Sequence, residues 1–367
     1  MTNLQHILDY YNSFPMLIKM AWVMSCVLFV AIVVLTIVLK TIRASLRKKD
    51  KEKVIFRKAY EASLIEYLYS GTEDGVLSER QKSIIEDLKT SVPIGAKRKV
   101  IVSILYNLLN EVSGEMSDSI KTLYFETGLY GYAKSRLKSK KWHIIAKGIG
   151  ELTRFKIHEA HDEVEQFIQH ERMEVRKETQ IYMVNMFRFQ GLSFLNVLEA
   201  PLSEWAQVQL LETLQRFDDQ QICDIKPWLK SKNQTVVMFA LKLAKIYNQF
   251  EVKDTLMELL SHPKRKIRVY SIEVLTSLYG IEAKEMLKAN FKDLSLKEQI
   301  GFFGLLEKLV VPDDEPFIEK HLFHENFEIQ LLALKILKSI NIDRYMGIQK
   351  KAAKKSNPEI LEFVNKI

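Results

Sequence analysis

The sequence predicts an all-α chain: a single N-terminal transmembrane helix followed by an α-α superhelix built from repeats. Three observations predict it. Met20–Leu39 is a twenty-residue run without a charge. Gly at 13 and Pro at 8 are scarce while hydrophobic residues make up 47% of the 367 residues, a composition that favours helices. From about residue 140 onward, apolar positions recur with a step of about 31 residues, a period that marks stacked helical pairs.

Residues 1–19 form a short N-terminal segment expected on the outer side of the membrane, with Tyr10 and Tyr11. The run at 20–39 is ~30 Å long as a helix, the thickness of a bilayer's hydrocarbon core. Trp22 near one end suits the interfacial aromatic belt. A cleaved signal peptide fits poorly. No basic region precedes the run, and no small-residue cleavage site separates it from the charges that follow.

Residues 40–53 hold seven cations, among them Lys40, Arg43, Arg47, Lys48 and Lys49, against Asp50 and Glu52. That segment is +5 of a whole-chain charge of +8, so the 314 residues after it carry only +3. The cationic flank puts the C-terminal side in the cytoplasm and the five named cations against anionic lipid headgroups. The localisation expected is therefore the inner membrane, N-terminus out and repeats inside. Two cysteines, Cys26 and Cys223, make no disulfide framework, which suits a reducing compartment.

Residues 54–116 read as a helical cap outside the repeat register. Three helices are expected, over about 52–69, 77–88 and 97–112. The first should turn Val54, Ile55, Tyr60, Leu64, Ile65 and Leu68 to one side, and Ser91-Val92-Pro93-Ile94-Gly95 should end the second. Residues 117–367 read as the superhelix. It opens with aromatics and a basic tail, including Tyr130, Tyr132 and Arg136. Either this is a partner-docking patch, or it is a first repeat helix with its rings turned inward.

The main ladder is Trp142, Val175, Ala206, Val236, Ile267, Glu298, Ile329 and Ile360, with spacings of 33, 31, 30, 31, 31, 31 and 31. Four residues on stand Ala146, Thr179, Leu210, Ala240, Ser271, Phe302, Ala333 and Val364. A second ladder runs through Val164, Phe194, Ile225, Leu256, Leu287 and Ile318.

The segments Val164–Phe187 and Leu256–Gly280, with the aliphatic–Arg pairs Val175-Arg176 and Ile267-Arg268, resemble HEAT repeats of the short, armadillo-like bacterial type. The resemblance covers about two thirds of the chain. It implies a membrane-anchored bacterial HEAT-repeat scaffold that docks a protein partner at the membrane, such as a glycosyltransferase or another component of envelope or exopolysaccharide machinery. HEAT-like relatives with lyase or DNA-glycosylase activity supply an enzymatic alternative, and a lipid-binding tether is a third.

One rung departs from the pattern: Glu298 takes an aliphatic position, and Gly301 and Gly304 lie inside its helix. A glycine costs a helix roughly 1 kcal/mol against alanine, so this rung joins Tyr130, Tyr132 and Arg136 as a candidate docking site.

Chemistry is otherwise sparse. No phosphate-cradling glycine loop and no nucleophile elbow occurs. His170, His262 and His324 share one repeat position, too far apart for a common metal and better suited to closing a turn. His158 and His161 lie among acids, where a polar helix start accounts for them. The near-neutral repeats do not make a nucleic-acid face. No cofactor, no metal, no nucleic acid and no catalytic role are expected.

Overall fold

The computed structural model of the protein describes residues 15–70, 77–217, 222–352 and Val364. Among them all regular structure is helical, with no strand. Contacts divide the chain into two compact units, Met1–Ala133 and Lys134–Ile367.

Unit 1 is built on α1 (Met16–Tyr69), α2 (Glu79–Ser91), α3 (Gly95–Glu111) and α4 (Glu115–Glu126). The apolar run, the basic segment and the first cap helix form one unbroken helix, α1, where the sequence suggested separate elements. Helix-forming Lys, Arg and Leu between them give no stop signal. Only the C-terminal part of α1 enters a core. Leu64 and Tyr67 are buried, whereas Val54, Ile55 and Ile65, expected on the same face, are exposed.

A capping box between Ser78 and Gln81 starts α2, satisfying donors that the first turn leaves open. The expected break at Ser91–Gly95 separates α2 from α3. Leu88, Ile101, Ile104, Leu105, Ile120 and Leu123 complete the core. Because α4 packs on α1 and α3, the division between units falls after Ala133 rather than at the expected start of the repeats, Ser117.

Unit 2 alternates short and long helices. α5 (Leu129–Leu137) crosses the division. The long helices are α6 (Trp142–Arg154), α8 (Met173–Phe187), α9 (Glu204–Leu214), α11 (Gln234–Ile246), α13 (Arg265–Ser277), α15 (Leu296–Leu309) and α17 (Phe327–Ile340). The short ones are α7 (His161–Glu165), α10 (Lys226–Leu229), α12 (Lys253–Leu259), α14 (Ala283–Ala289) and α16 (Glu315–Glu319); a 3₁₀ segment, Arg188–Asn196, stands before α9. α18 (Ile342–Ala352) follows the last long helix. Each short helix packs on the long one after it, α6 packs on α8, α8 on α9, and α11, α13, α15 and α17 pack in succession.

The ladders explain this packing. Val175, Ala206, Val236, Ile267, Glu298 and Ile329 are each the third residue of a long helix, and all six are buried. So are Val164, Phe194, Ile225, Leu256, Leu287 and Ile318. Trp142 is the exception: it opens α6 and is 39% exposed. The third residue of α6 is Ile144, which stands 31 residues before Val175 and restores the period. Eleven residues on from Ile144 stands buried Phe155, the C-cap of α6, as Tyr247 and Leu278 cap α11 and α13.

The residues after these three caps, Lys156, Asn248 and Tyr279, have φ of 53°, 49° and 54°. They let Ile157, Gln249 and Gly280 donate to Leu152, Ala244 and Leu275 at 3.1, 3.0 and 2.8 Å, the Schellman closure of a helix C-terminus. Ile360 lies outside the described residues, while Val364, four residues on, is buried.

Candidate interaction site

The loops between short and long helices are closed by their own side chains. His170, His262 and His324 each accept, through Nδ1, the backbone N–H two residues on, all at 3.0 Å. The arginine of the aliphatic–Arg pair reaches back over the same loop. Arg176 donates to the carbonyls of His170 and Glu171 at 2.7 and 2.9 Å, and Arg268 to those of His262 and Pro263 at 2.9 and 3.3 Å. The recurring histidines thus satisfy backbone donors at a helix entrance. Among the described residues no group of three or more His, Cys, Asp and Glu is placed to hold a metal. His158 and His161 meet the ring of Phe187, with centroids at 5.8 and 4.7 Å.

The departing rung differs from its neighbours in chemistry more than in shape. Glu298 is 1% exposed at a position where Ile267 and Ile329 are aliphatic. Arg268 Nε donates to its Oε1 at 2.5 Å and Nη2 to its Oε2 at 3.3 Å. The Ser295 amide donates to Oε2 at 2.9 Å, and the Ser295 hydroxyl also bonds it. The carboxylate therefore fills an aliphatic slot, caps α15 and anchors Arg268 together. Burial acts to raise its pKa, but the bonds from Arg268 and Ser295 outweigh it and hold the group below the ordinary value of 4.5.

The two glycines of this rung are not equivalent. A Cβ on Gly301 would meet Ile272 Cγ2 at 3.4 Å, a close approach between α15 and α13. A Cβ on Gly304 would meet nothing within 4 Å.

Beside the rung lies a buried charge cluster that sequence reasoning missed. Lys284 and Asp314 are 3% and 0% exposed. Lys284 Nζ meets Asp314 Oδ2 at 2.6 Å and also donates to the Leu309 carbonyl at 3.0 Å. Lys288 pairs with Asp314 Oδ1, and the Val311 amide donates to Oδ2 at 2.9 Å. Burial works to raise the Asp314 pKa, yet the two ammonium groups keep it below its ordinary 3.8. The signal was present: Lys284 stands three residues before ladder residue Leu287, and residues i and i+3 share a helix face. Phe291, Phe302, Phe303 and Phe317 pack nearby, with His321 against Phe291 at 4.6 Å between centroids. Burial lowers the His321 pKa.

The other expected site residues are dispersed. Tyr130 packs on Phe125 at 4.8 Å, and the guanidinium of Arg98 lies 4.1 Å over the ring of Tyr132. Arg136 pairs with Glu151 at 2.5 Å. Tyr130 and Tyr132 are half-buried in these contacts. Lys40, Arg43 and Arg47 are exposed along α1, as is Lys48; the side chain of Lys49 is outside the described set.

No family model matches the chain, and no curated protein matches it. Among solved structures it is similar to an engineered protein from the Northeast Structural Genomics Consortium, at 13% identity over 86% of this chain and 94% of that one, with a TM-score of 0.34. What the coordinates define is an all-helical protein of many packed helices. One of them, α1, is long and apolar enough to cross a membrane by length and composition.

Proposed function

We propose that this protein is a membrane-anchored HEAT-like solenoid that docks a partner protein at the cytoplasmic face of the membrane, and that it is a scaffold rather than an enzyme. The observation that carries the reading is α1. None of its most apolar window is buried against the protein, yet the same helix runs on to place Leu64 and Tyr67 in the core of unit 1. An exposed apolar helix of this length is stable in lipid, not in water. Its continuity with a folded unit favours an anchor over a cleaved leader. The cations from Lys40 to Lys49 favour a cytoplasmic C-terminal side and contact with anionic headgroups.

The docking surface we assign is the rung at Gly301 and Gly304, where open space beside Gly304 admits a partner side chain to α15. A partner of the envelope machinery, such as a glycosyltransferase, fits an anchor of this kind.

The test has two arms. The protein should stay with membranes through high-salt and carbonate washes; recovery in the soluble wash rejects the anchor. Crosslinking in intact cells should give a protein adduct that Gly304→Trp removes while the helical circular dichroism spectrum persists. An adduct unaffected by Gly304→Trp rejects the docking surface.

A further inference from the structure

A second row of residues stands in register with the buried ladder of unit 2. From α8 onward the third residue of each long helix is buried, so the residues that open the helix are left outside. Five of these are large and apolar. Trp142, Met173, Leu296 and Phe327 open α6, α8, α15 and α17, and Trp205 is the second residue of α9; they are 39%, 52%, 48%, 49% and 65% exposed. Cations lie in the same loops and first turns: Lys140 and Lys141 before α6, Arg172 before α8, Lys232 before α11, and Lys264 and Arg265 at α13. All six are exposed, and none forms an ion pair among the described residues.

These positions share one edge of unit 2. α6, α8 and α9 pack in succession, as do α11, α13, α15 and α17, and each long helix begins at the same repeat position. Gln207 on α9 bonds the Thr235 carbonyl of α11 at 3.4 Å. Lys266 Nζ meets Glu204 Oε1 at 3.0 Å, which joins the first turns of α13 and α9. That pair also neutralises Glu204, leaving Glu171 and Glu174 as the acids next to Met173. The edge is net basic and studded with tryptophan.

We propose that this edge is a second membrane-contact surface, resting on anionic lipid headgroups. Tryptophan prefers the headgroup level, and clustered lysine and arginine beside apolar side chains suit an anionic surface. Protein–protein interfaces are depleted in lysine, which four of the six cations are, so charge and composition favour lipid over a protein partner. The inference rests on the anchor reading above and extends it from α1 to unit 2.

The test uses the full chain carrying Trp22→Phe, reconstituted into nanodiscs of brominated phosphatidylcholine with or without brominated phosphatidylglycerol. Trp142 and Trp205 are then the lipid-sensing fluorophores, because Trp228 is buried and bonded to Asn196. The expected result is loss of most of the Trp142 and Trp205 emission in discs containing phosphatidylglycerol. The emission should recover in the zwitterionic discs, at high salt, and in the variant Lys140→Glu/Lys141→Glu/Lys264→Glu/Arg265→Glu. The salt series needs no variant, so misfolding cannot mimic it. Emission that stays bright in discs the chain has entered overturns the lipid edge alone and leaves it to solvent or a protein partner. Quenching indifferent to lipid charge and salt overturns it as well. A chain that does not enter discs at all overturns the anchor, and the edge with it.

Discussion

The rungs at Ile329 and Glu298 occupy equivalent places, each the third residue of a long helix, each buried and each followed four residues later by a buried residue, Ala333 or Phe302. One fills the place with an aliphatic side chain. The other fills it with a carboxylate held by Arg268 and Ser295, next to a buried Lys284–Asp314 pair. The difference teaches that the repeat requires a filled and satisfied position rather than a particular chemistry. Aliphatic burial stabilises by removing area from water. A buried ion pair stabilises little in itself but costs heavily when halved.

The largest effect is expected where a charge is stranded. Asp314→Ala leaves Lys284 buried without its partner and should cost about 3–5 kcal/mol, measured by urea unfolding followed by circular dichroism. A loss near zero would mean that Lys284 escapes to solvent and that the cluster is not a constraint. Next comes the direct contrast of the two rungs. Ile329→Ala opens a cavity and should cost about 2–5 kcal/mol. Glu298→Leu restores the aliphatic pattern but removes the Ser295 cap and both Arg268 bonds; Arg268 keeps the His262 and Pro263 carbonyls, so the loss should stay at about 1–2 kcal/mol. Equal costs for the two would show that the carboxylate is required where it stands.

Acid sharpens the same contrast. Glu298 and Asp314 both have folded-state pKa values below their ordinary 4.5 and 3.8. Their stabilisation is present above those ordinary values and is lost as pH falls through the lower folded ones. An acid titration of stability should therefore be shallower in Glu298→Leu than in the parent; an unchanged slope removes Glu298 from the account. The smallest effect concerns Glu178, whose carboxyl burial raises above 4.5 against the pull of Lys177 and Arg154. A raised carboxyl favours the folded state when protonated, so its cost appears as pH rises through 4.5 and grows up to the folded value. Glu178→Gln should stabilise slightly at neutral pH and not below pH 4.5; a gain at both would implicate packing instead.

Much of this architecture was legible in residue spacing. A step of 31 residues with apolar anchors at fixed offsets forces paired helices, because each pair buries its stripe only against the next. The ladder misplaced one rung because Trp142 is apolar and lies close to half-buried Ile144 and buried Ile145, and hydrophobicity alone does not tell an exposed helix-opening residue from its buried neighbours. The cap helices were read nearly to their ends, since Gly, Pro and Ser mark breaks locally. The fusion of the apolar run with the first cap helix was missed because no breaker separates them.

The candidate site was less legible. Glu298, Gly301 and Gly304 stood out as violations of a pattern, and a pattern is a sequence property. That Glu298 is satisfied by Arg268, thirty residues earlier, is a matter of which helices adjoin.

The sequence by itself determined the helical class, the repeat period, the buried faces and the uncharged run at 20–39, because these follow from periodicity and composition within a few turns of chain. Only the tertiary structure decided that Arg176 and Arg268 reach back over the loops the recurring histidines close. It alone matched Lys284 and Lys288 to Asp314 and aligned Trp142, Met173 and Trp205 along one edge. Those outcomes depend on distances between segments some thirty residues apart, which are set when the helices pack and are written in no single stretch of the chain.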